Sequence, residues 1–135
     1  MNAAPSRAVI AGRILSGLAV AFLLFSSLLK FFAPAIARDS LVELGYPPSI
    51  AIGLGVLELG CTLLYAVPAT SRAGAVLLTG YLGGAIATHL RLSHPWLSHT
   101  LFPVWIGGLV WAGLLLRDPA LRALLVLRRR SELPA

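Results

Sequence analysis

Three residues place charge or a titratable ring where the surrounding sequence is apolar. Glu58 lies at the middle of SIAIGLGVLELGCTLLYAVP, residues 49–68. Lys30 closes the run ILSGLAVAFLLFSSLLK, and His89 follows Thr88 near the end of a third apolar stretch. An ionisable side chain at the centre of a bilayer costs roughly 2.5–3.5 kcal/mol on insertion scales, so each such residue needs a reason to be there. A carboxylate, an ammonium and an imidazole gathered in one pocket can exchange protons with a bound ligand, the imidazole titrating nearest neutrality. The same groups can instead neutralise one another and fix helix register, and interhelical polar contacts of that kind are worth about 0.6 kcal/mol on average. Residue types leave both readings open. Thr62, one helical turn beyond Glu58, is placed to donate to its carboxylate.

The other reactive groups are quickly bounded. His94 and His99 fall in the polar stretch RLSHPWLSH, where they read as interfacial residues. Nothing in their spacing sets a mutual geometry with His89, so no metal site is expected. Cys61 is the single cysteine, which excludes an internal disulfide, a CxxC redox pair and a cysteine-based zinc site. No phosphate-binding loop, no GxGxxG ahead of a helix and no CxxCH haem attachment occurs, and no cofactor is evident.

The elements that position these residues must be membrane helices. Of 135 residues, 58% are hydrophobic and 12% charged, about half the charged share of a typical soluble domain. Mean hydropathy is +0.86. A larger buried core does not absorb the difference, because small domains have proportionally more surface to cover. The chain therefore reads as an all-α integral membrane protein, a four-helix bundle with short loops and a single transmembrane domain over residues 1–135. Spans are expected over about residues 14–32, 49–67, 73–90 and 100–116; the first three are near the length that crosses about 30 Å of hydrocarbon, and the fourth is short for it, with Trp96 and Leu97 available to extend it.

Breaks between spans have identifiable causes. Pro34 stops the first, and the Gly45-Tyr46-Pro47-Pro48 turn launches the second. Pro68 and a short polar run end it. Beyond Arg117, Asp118-Pro119 is suited to cap a short amphipathic segment, Ala120 to Leu127, within a basic tail over residues 117–135. That segment is too short for a fifth crossing and reads as an interfacial helix or an extension of span four. Arg7, Arg13, Arg72, Arg117, Arg122 and the triplet Arg128 to Arg130 all fall on one side of a four-span chain. The bias places both termini in the cytoplasm and the protein in the cell membrane. The formal charge of +6 is then a topology signal and a means of contacting anionic head groups, with no nucleic-acid partner implied. A basic start, an apolar run and Ala35-Ile36-Ala37 also have the outline of a cleavable leader, but the run is long for one and the first helix is expected to be retained.

Small residues suggest where helices meet. Gly80, Gly84 and Thr88 recur every four residues and form a face for close packing within the bundle or in a homo-oligomer. Gly17, Ala21 and Ser27 offer a similar stripe on the first span. Trp105 and Trp111 are deep enough to floor a flat apolar pocket such as one for a quinone ring, and an ordinary lipid-facing place suits either of them equally well.

With span order, the motifs SGLAVAFLLFSSLLKFF, GVLELGCTLLY and GGAIATHL together resemble the DoxX-like family, over nearly the whole chain from about Gly12 to Arg117. The resemblance implies a four-span membrane fold and points to Lys30, Glu58 and His89 as the residues of interest. It also implies, through the family's namesake subunit of a thiosulfate:quinone oxidoreductase, an accessory subunit of a membrane redox system or a protein that binds a quinone-like lipid. A membrane assembly factor with a protein partner and a small-solute transporter acting as a dimer are the readings from other classes. Four spans lack the inverted repeat on which alternating access usually rests.

Overall fold

A computed structural model describes residues 4–131, and the last residues of the basic tail, 132–135, lie outside that range. Six α-helices occur among the described residues. α1 (Arg7–Phe32) begins a full two turns before the apolar run, because the Ser6 hydroxyl accepts from the Val9 amide and caps it. α2 (Pro34–Glu43) follows at once, with Pro34 at its first turn. Sequence reasoning treated this segment as a plain connection. α2 ends at Gly45, whose φ of +75° is the left-handed conformation a helix stop favours.

A 3-10 turn at Pro48–Ile50 leads into α3 (Ala51–Ala66), and α4 (Ser71–Arg91) returns after a short link. A π-helical turn, Trp96–Thr100, precedes α5 (Phe102–Arg117). That turn lengthens the fourth apolar segment to 22 residues, so it crosses without the shortfall expected for residues 100–116. Among the described residues, four segments are long and apolar enough to span a membrane: α1, Pro48–Ala66, α4 and Trp96–Arg117. α6 (Pro119–Ser131) is a separate helix and no extension of α5, because Asp118 is extended between them. The Asp118 carboxylate accepts from the Leu121 amide at 2.9 Å and caps the new helix.

The four long helices form a closed ring. α1 packs on α3 and α5, and α4 packs on the same two. Ala19 and Leu23 of α1, Tyr65 of α3, Leu78 of α4 and Val110 and Leu114 of α5 meet along the axis and are almost fully buried. The outer surface is as apolar as the core: Leu18, Phe25, Leu63, Val76 and Trp105 are all about half exposed or more. In water that surface would be a liability, whereas in lipid it is the solvent-facing side. Hydroxyls bond back to their own helix whether buried, as Ser27 to the Leu23 carbonyl, or on the outer surface, as Thr79 to that of Ala75, as apolar surroundings require.

Close crossings rest on other glycines than those expected. A Cβ on Gly113 would lie 2.5 Å from the Ser16 hydroxyl, and one on Gly12 would lie 2.6 Å from the Arg117 amide, so α1 and α5 cross nearly backbone to backbone. A Cβ on Gly74 would run into the Tyr65 backbone, fixing the α3–α4 crossing. By contrast, a Cβ on Gly80 or Gly84 meets nothing within 4 Å, so their stripe seats no helix of this chain. Gly17 and Ala21 are exposed too; the packed stripe of α1 is Gly12, Ser16, Ala19, Leu23 and Ser27.

Both ends of the ring are distinct. At the end carrying the start of α1 and the end of α5, Tyr65 donates its phenolic proton to the Val110 carbonyl at 2.7 Å. Its oxygen is then left to accept from the Ser16 hydroxyl at 2.8 Å, which ties α1, α3 and α5 at one point. Arg117 caps the arrangement, donating to the Tyr65 carbonyl at 2.9 Å with its guanidinium over the Tyr65 ring. At the opposite end lie Lys30, α2 and the three histidines.

Candidate functional site

The Lys30 ammonium and the Glu58 carboxylate meet at 2.7 Å. Two local features bring them together. Gly55 lies one turn before Glu58 on the same face of α3, and a Cβ there would lie only 3.1 Å from the Lys30 Cβ, so the lysine stem lies flat against α3. Ser26, one turn before Lys30, then completes the set: its hydroxyl donates to the same Glu58 oxygen at 3.3 Å. Lys30 also donates to the Ser26 carbonyl and hydroxyl, at 3.3 and 3.1 Å. Tyr81 of α4 brings its phenol close to the carboxylate. The Glu58 side chain is 3% exposed and that of Lys30 18%.

That difference matters, because a cavity of about 700 Å³ opens on the lysine side of the pair, within the range of small-ligand sites. Lys30, Ser26 and Tyr81 line it, whereas Glu58 stands behind them and does not. The wall follows α4 from Val76 to His89, a rise of about 20 Å. Near His89 it is polar, with Thr88 and the Tyr46 hydroxyl bonded to each other at 2.8 Å. Toward Val76 and Leu77 it is apolar, and since both of those side chains are exposed on the bundle surface, the cavity opens sideways into lipid. α2 closes its polar end through Ile36, Ser40 and Leu41.

Several expected placements are corrected by these contacts. Thr62 does not reach the Glu58 carboxylate; its hydroxyl donates to the Glu58 carbonyl at 2.7 Å, the usual back-bond of a helical threonine. Thr88 is similarly back-bonded, to Gly84, besides meeting Tyr46. Gly80 and Gly84 line the cavity. Their missing side chains make room for contents and do not make a helix seam. Trp105 is 70% exposed and Trp111 donates its indole proton to Thr79, and neither lines the cavity.

His89 stands apart from the Lys30–Glu58 pair. Its Nδ1 lies 3.0 Å from that of His94, and the rings of His89, His94 and His99 pack on one another with centroids 5.2 to 5.7 Å apart. The loop geometry that spacing alone left undefined comes from Ser93, whose φ of +53° turns the chain back so that the His94 amide bonds the His89 carbonyl. Among the described residues, no group of three histidine, cysteine or acidic side chains is arranged to hold a metal ion.

Sequence reasoning missed Ser26, Tyr46 and Tyr81. Ser26 carried a usable signal, since it lies four residues before Lys30 on the same helical face. Tyr46 lies outside the apolar spans, and only the packing of the link beside α4 brings it to Thr88.

Four membrane-spanning helices around a buried ion pair, with a side-opening cavity, define a multi-pass membrane protein of the small-bundle class. The model of the DoxX-like family matches residues 14–113, and the chain belongs to that family. No match was found among curated proteins or among solved structures.

Proposed function

We propose that this protein binds a lipid-soluble ligand with a polar head, of the quinone type, as a component of a membrane redox system. One observation carries the reading: the cavity is apolar where it opens to lipid and polar where it ends, so it matches a molecule that is amphipathic along its length. The head would lie against the Lys30 ammonium, whose charge attracts a carbonyl oxygen, with Tyr81 and the Tyr46–Thr88 hydroxyls beside it, Tyr46 donating to Thr88 and Thr88 to the Gly84 carbonyl. Glu58 supports the site from behind by holding the Lys30 ammonium in place, and His89 offers a proton-exchanging group on the cavity wall. Size favours binding over transport, since one bundle of four spans lacks the inverted repeat on which alternating access usually rests.

The test uses protein purified in mild detergent. An organic extract should contain an isoprenoid or quinone compound in stoichiometric amount, and added decylubiquinone should rebind to stripped protein. Gly84→Leu projects a side chain into the cavity without a backbone clash, so it should abolish rebinding while leaving the thermal midpoint unchanged. Equal rebinding by wild type and Gly84→Leu defeats the reading. A copurifying protein with no extractable ligand would favour the assembly-factor reading instead.

The ligand head then lies toward the outer face, in a cell-membrane protein whose single domain has both termini in the cytoplasm. Supporting this orientation, Arg7, Arg13, Arg72, Arg117 and Arg122 share one end of the chain's path, whereas Lys30, Arg38 and Arg91 share the other. Reporter fusions after Ser71 and after Ser131 should read cytoplasmic, and one after Asp39 external. An external C-terminus overturns the orientation.

A further inference from the structure

We propose that the arginine-lined pocket at the end of the bundle opposite Lys30 is a binding site for a phosphate group, supplied by an anionic phospholipid head or by free phosphate. A second cavity, of about 350 Å³, is formed there by Arg13 of α1, Arg72 of α4 and Arg117 of α5, with Asp118 and Pro119 closing it. Three helices thus each contribute one guanidinium to one concavity. A merely topological use of arginine requires them only on the same side of the membrane and does not require them to converge.

The charge in the pocket is not balanced from within. Asp118 is its only acid, and both carboxylate oxygens are engaged by Arg72, at 2.7 Å to Nε and 3.0 Å to Nη2. The Arg72 guanidinium and the Leu121 amide hold the Asp118 carboxyl below its ordinary range, so that pair stays closed at neutral pH. Among the described residues, neither Arg13 nor Arg117 has a carboxylate partner. Arg117 spends one donor on the Tyr65 carbonyl, and its Nε is buried with no acceptor. The acceptor whose geometry best fits the guanidinium groups lining the pocket is a phosphate oxygen. The location suits a lipid head: the pocket adjoins the start of α6, at the depth where apolar spans end and basic clusters meet anionic lipid.

The experiment takes the full chain in mild detergent and follows thermal unfolding and, by native mass spectrometry, retained lipid. Dioleoyl phosphatidylglycerol, dioleoyl phosphatidylcholine and inorganic phosphate are added separately. Phosphatidylglycerol is expected to raise the midpoint and remain bound, and phosphatidylcholine to do so far less, because its choline brings a cation into a basic pocket. Arg13 is exposed, so Arg13→Gln folds; it should weaken phosphatidylglycerol binding about tenfold, one charge-assisted hydrogen bond, and Arg13→Lys should recover part of it. Stabilisation by phosphatidylglycerol without inorganic phosphate identifies a lipid head as the source, and equal stabilisation by inorganic phosphate identifies the free anion. No stabilisation by either, equal stabilisation by phosphatidylcholine, or an unchanged affinity in Arg13→Gln overturns the proposal.

Discussion

Lys30→Met is expected to lower the stability of the detergent-solubilised protein by about 3 kcal/mol, because removing one partner of a buried pair leaves the other charge uncompensated. The Glu58 carboxylate would keep only neutral hydroxyl partners, Ser26 at 3.3 Å and the nearby Tyr81 phenol, in a place that is 3% exposed. Glu58→Gln should cost less. Lys30 retains the Ser26 carbonyl and hydroxyl as acceptors and reaches the cavity, where its ammonium is partly exposed. The double variant, Lys30→Met with Glu58→Gln, should regain at least half of the loss seen in Lys30→Met, since both charges are gone. Chemical denaturation of the four proteins measures the cycle, and equal losses in the two single variants would contradict the asymmetry of the site.

The same four proteins separate glue from binding. If Lys30 orients a ligand head, the double variant recovers stability without recovering ligand. A double variant that regains both would leave Lys30 with no role beyond neutralising Glu58. Retention of ligand in Lys30→Met itself would remove the cation from the site altogether.

Gly113→Leu should not accumulate as folded protein. Its first side-chain carbon alone would sit 2.5 Å from the Ser16 hydroxyl and 2.8 Å from the Ser16 amide, both on the neighbouring helix. Overpacking of a well-filled core usually costs about 1–3 kcal/mol, and here the obstacle includes backbone, which has no rotamer to move aside. Gly74→Ala, meeting the Tyr65 backbone, should lose about 2 kcal/mol for the same reason. Gly17→Leu is the matched control, since nothing lies within 4 Å of its added carbon. Monodispersity on size exclusion and the thermal midpoint report the outcome, and a Gly113→Leu protein with a wild-type midpoint would mean that α1 and α5 do not cross there.

The contrast among these glycines explains what could be read from the chain beforehand. Span number and order were legible, because an apolar run of roughly 20 residues has few other fates. So was the Asp118 cap, which depends on residues adjacent in sequence. A Lys30–Glu58 contact was allowed by the chain and not required by it: a charge in lipid must find a partner and a lysine stem is long, but nothing in the residues settled that these two meet. Which small residues carry helix crossings was not legible. Gly12, Gly74 and Gly113 do not form a four-residue repeat, whereas Gly80, Gly84 and Thr88 do, and periodicity alone pointed away from the glycines that carry the crossings within this chain. The crossing is fixed by which face of α4 turns inward, and Leu78 and Leu82 decide that through packing with α5 and α3. The cavity was hidden for the same reason: it is formed by α2, Tyr46 and the outer stripe of α4, which no local pattern connects.

The Tyr65 junction has a mechanical consequence. Three helices are pinned to one hydroxyl near one end of the bundle, while the cavity lies toward the other, so the fixed point and the cavity are separated along α1. Along α1, Lys30 is about 21 Å from Ser16, the residue pinned at that point. A tilt of α1 by only about 5° about this fulcrum carries the ammonium roughly 2 Å sideways over that lever arm. A displacement of that size would part Lys30 from Glu58 and lift its stem off Gly55, so the ion pair is the latch that holds the far end of α1, and with it α2, against α3.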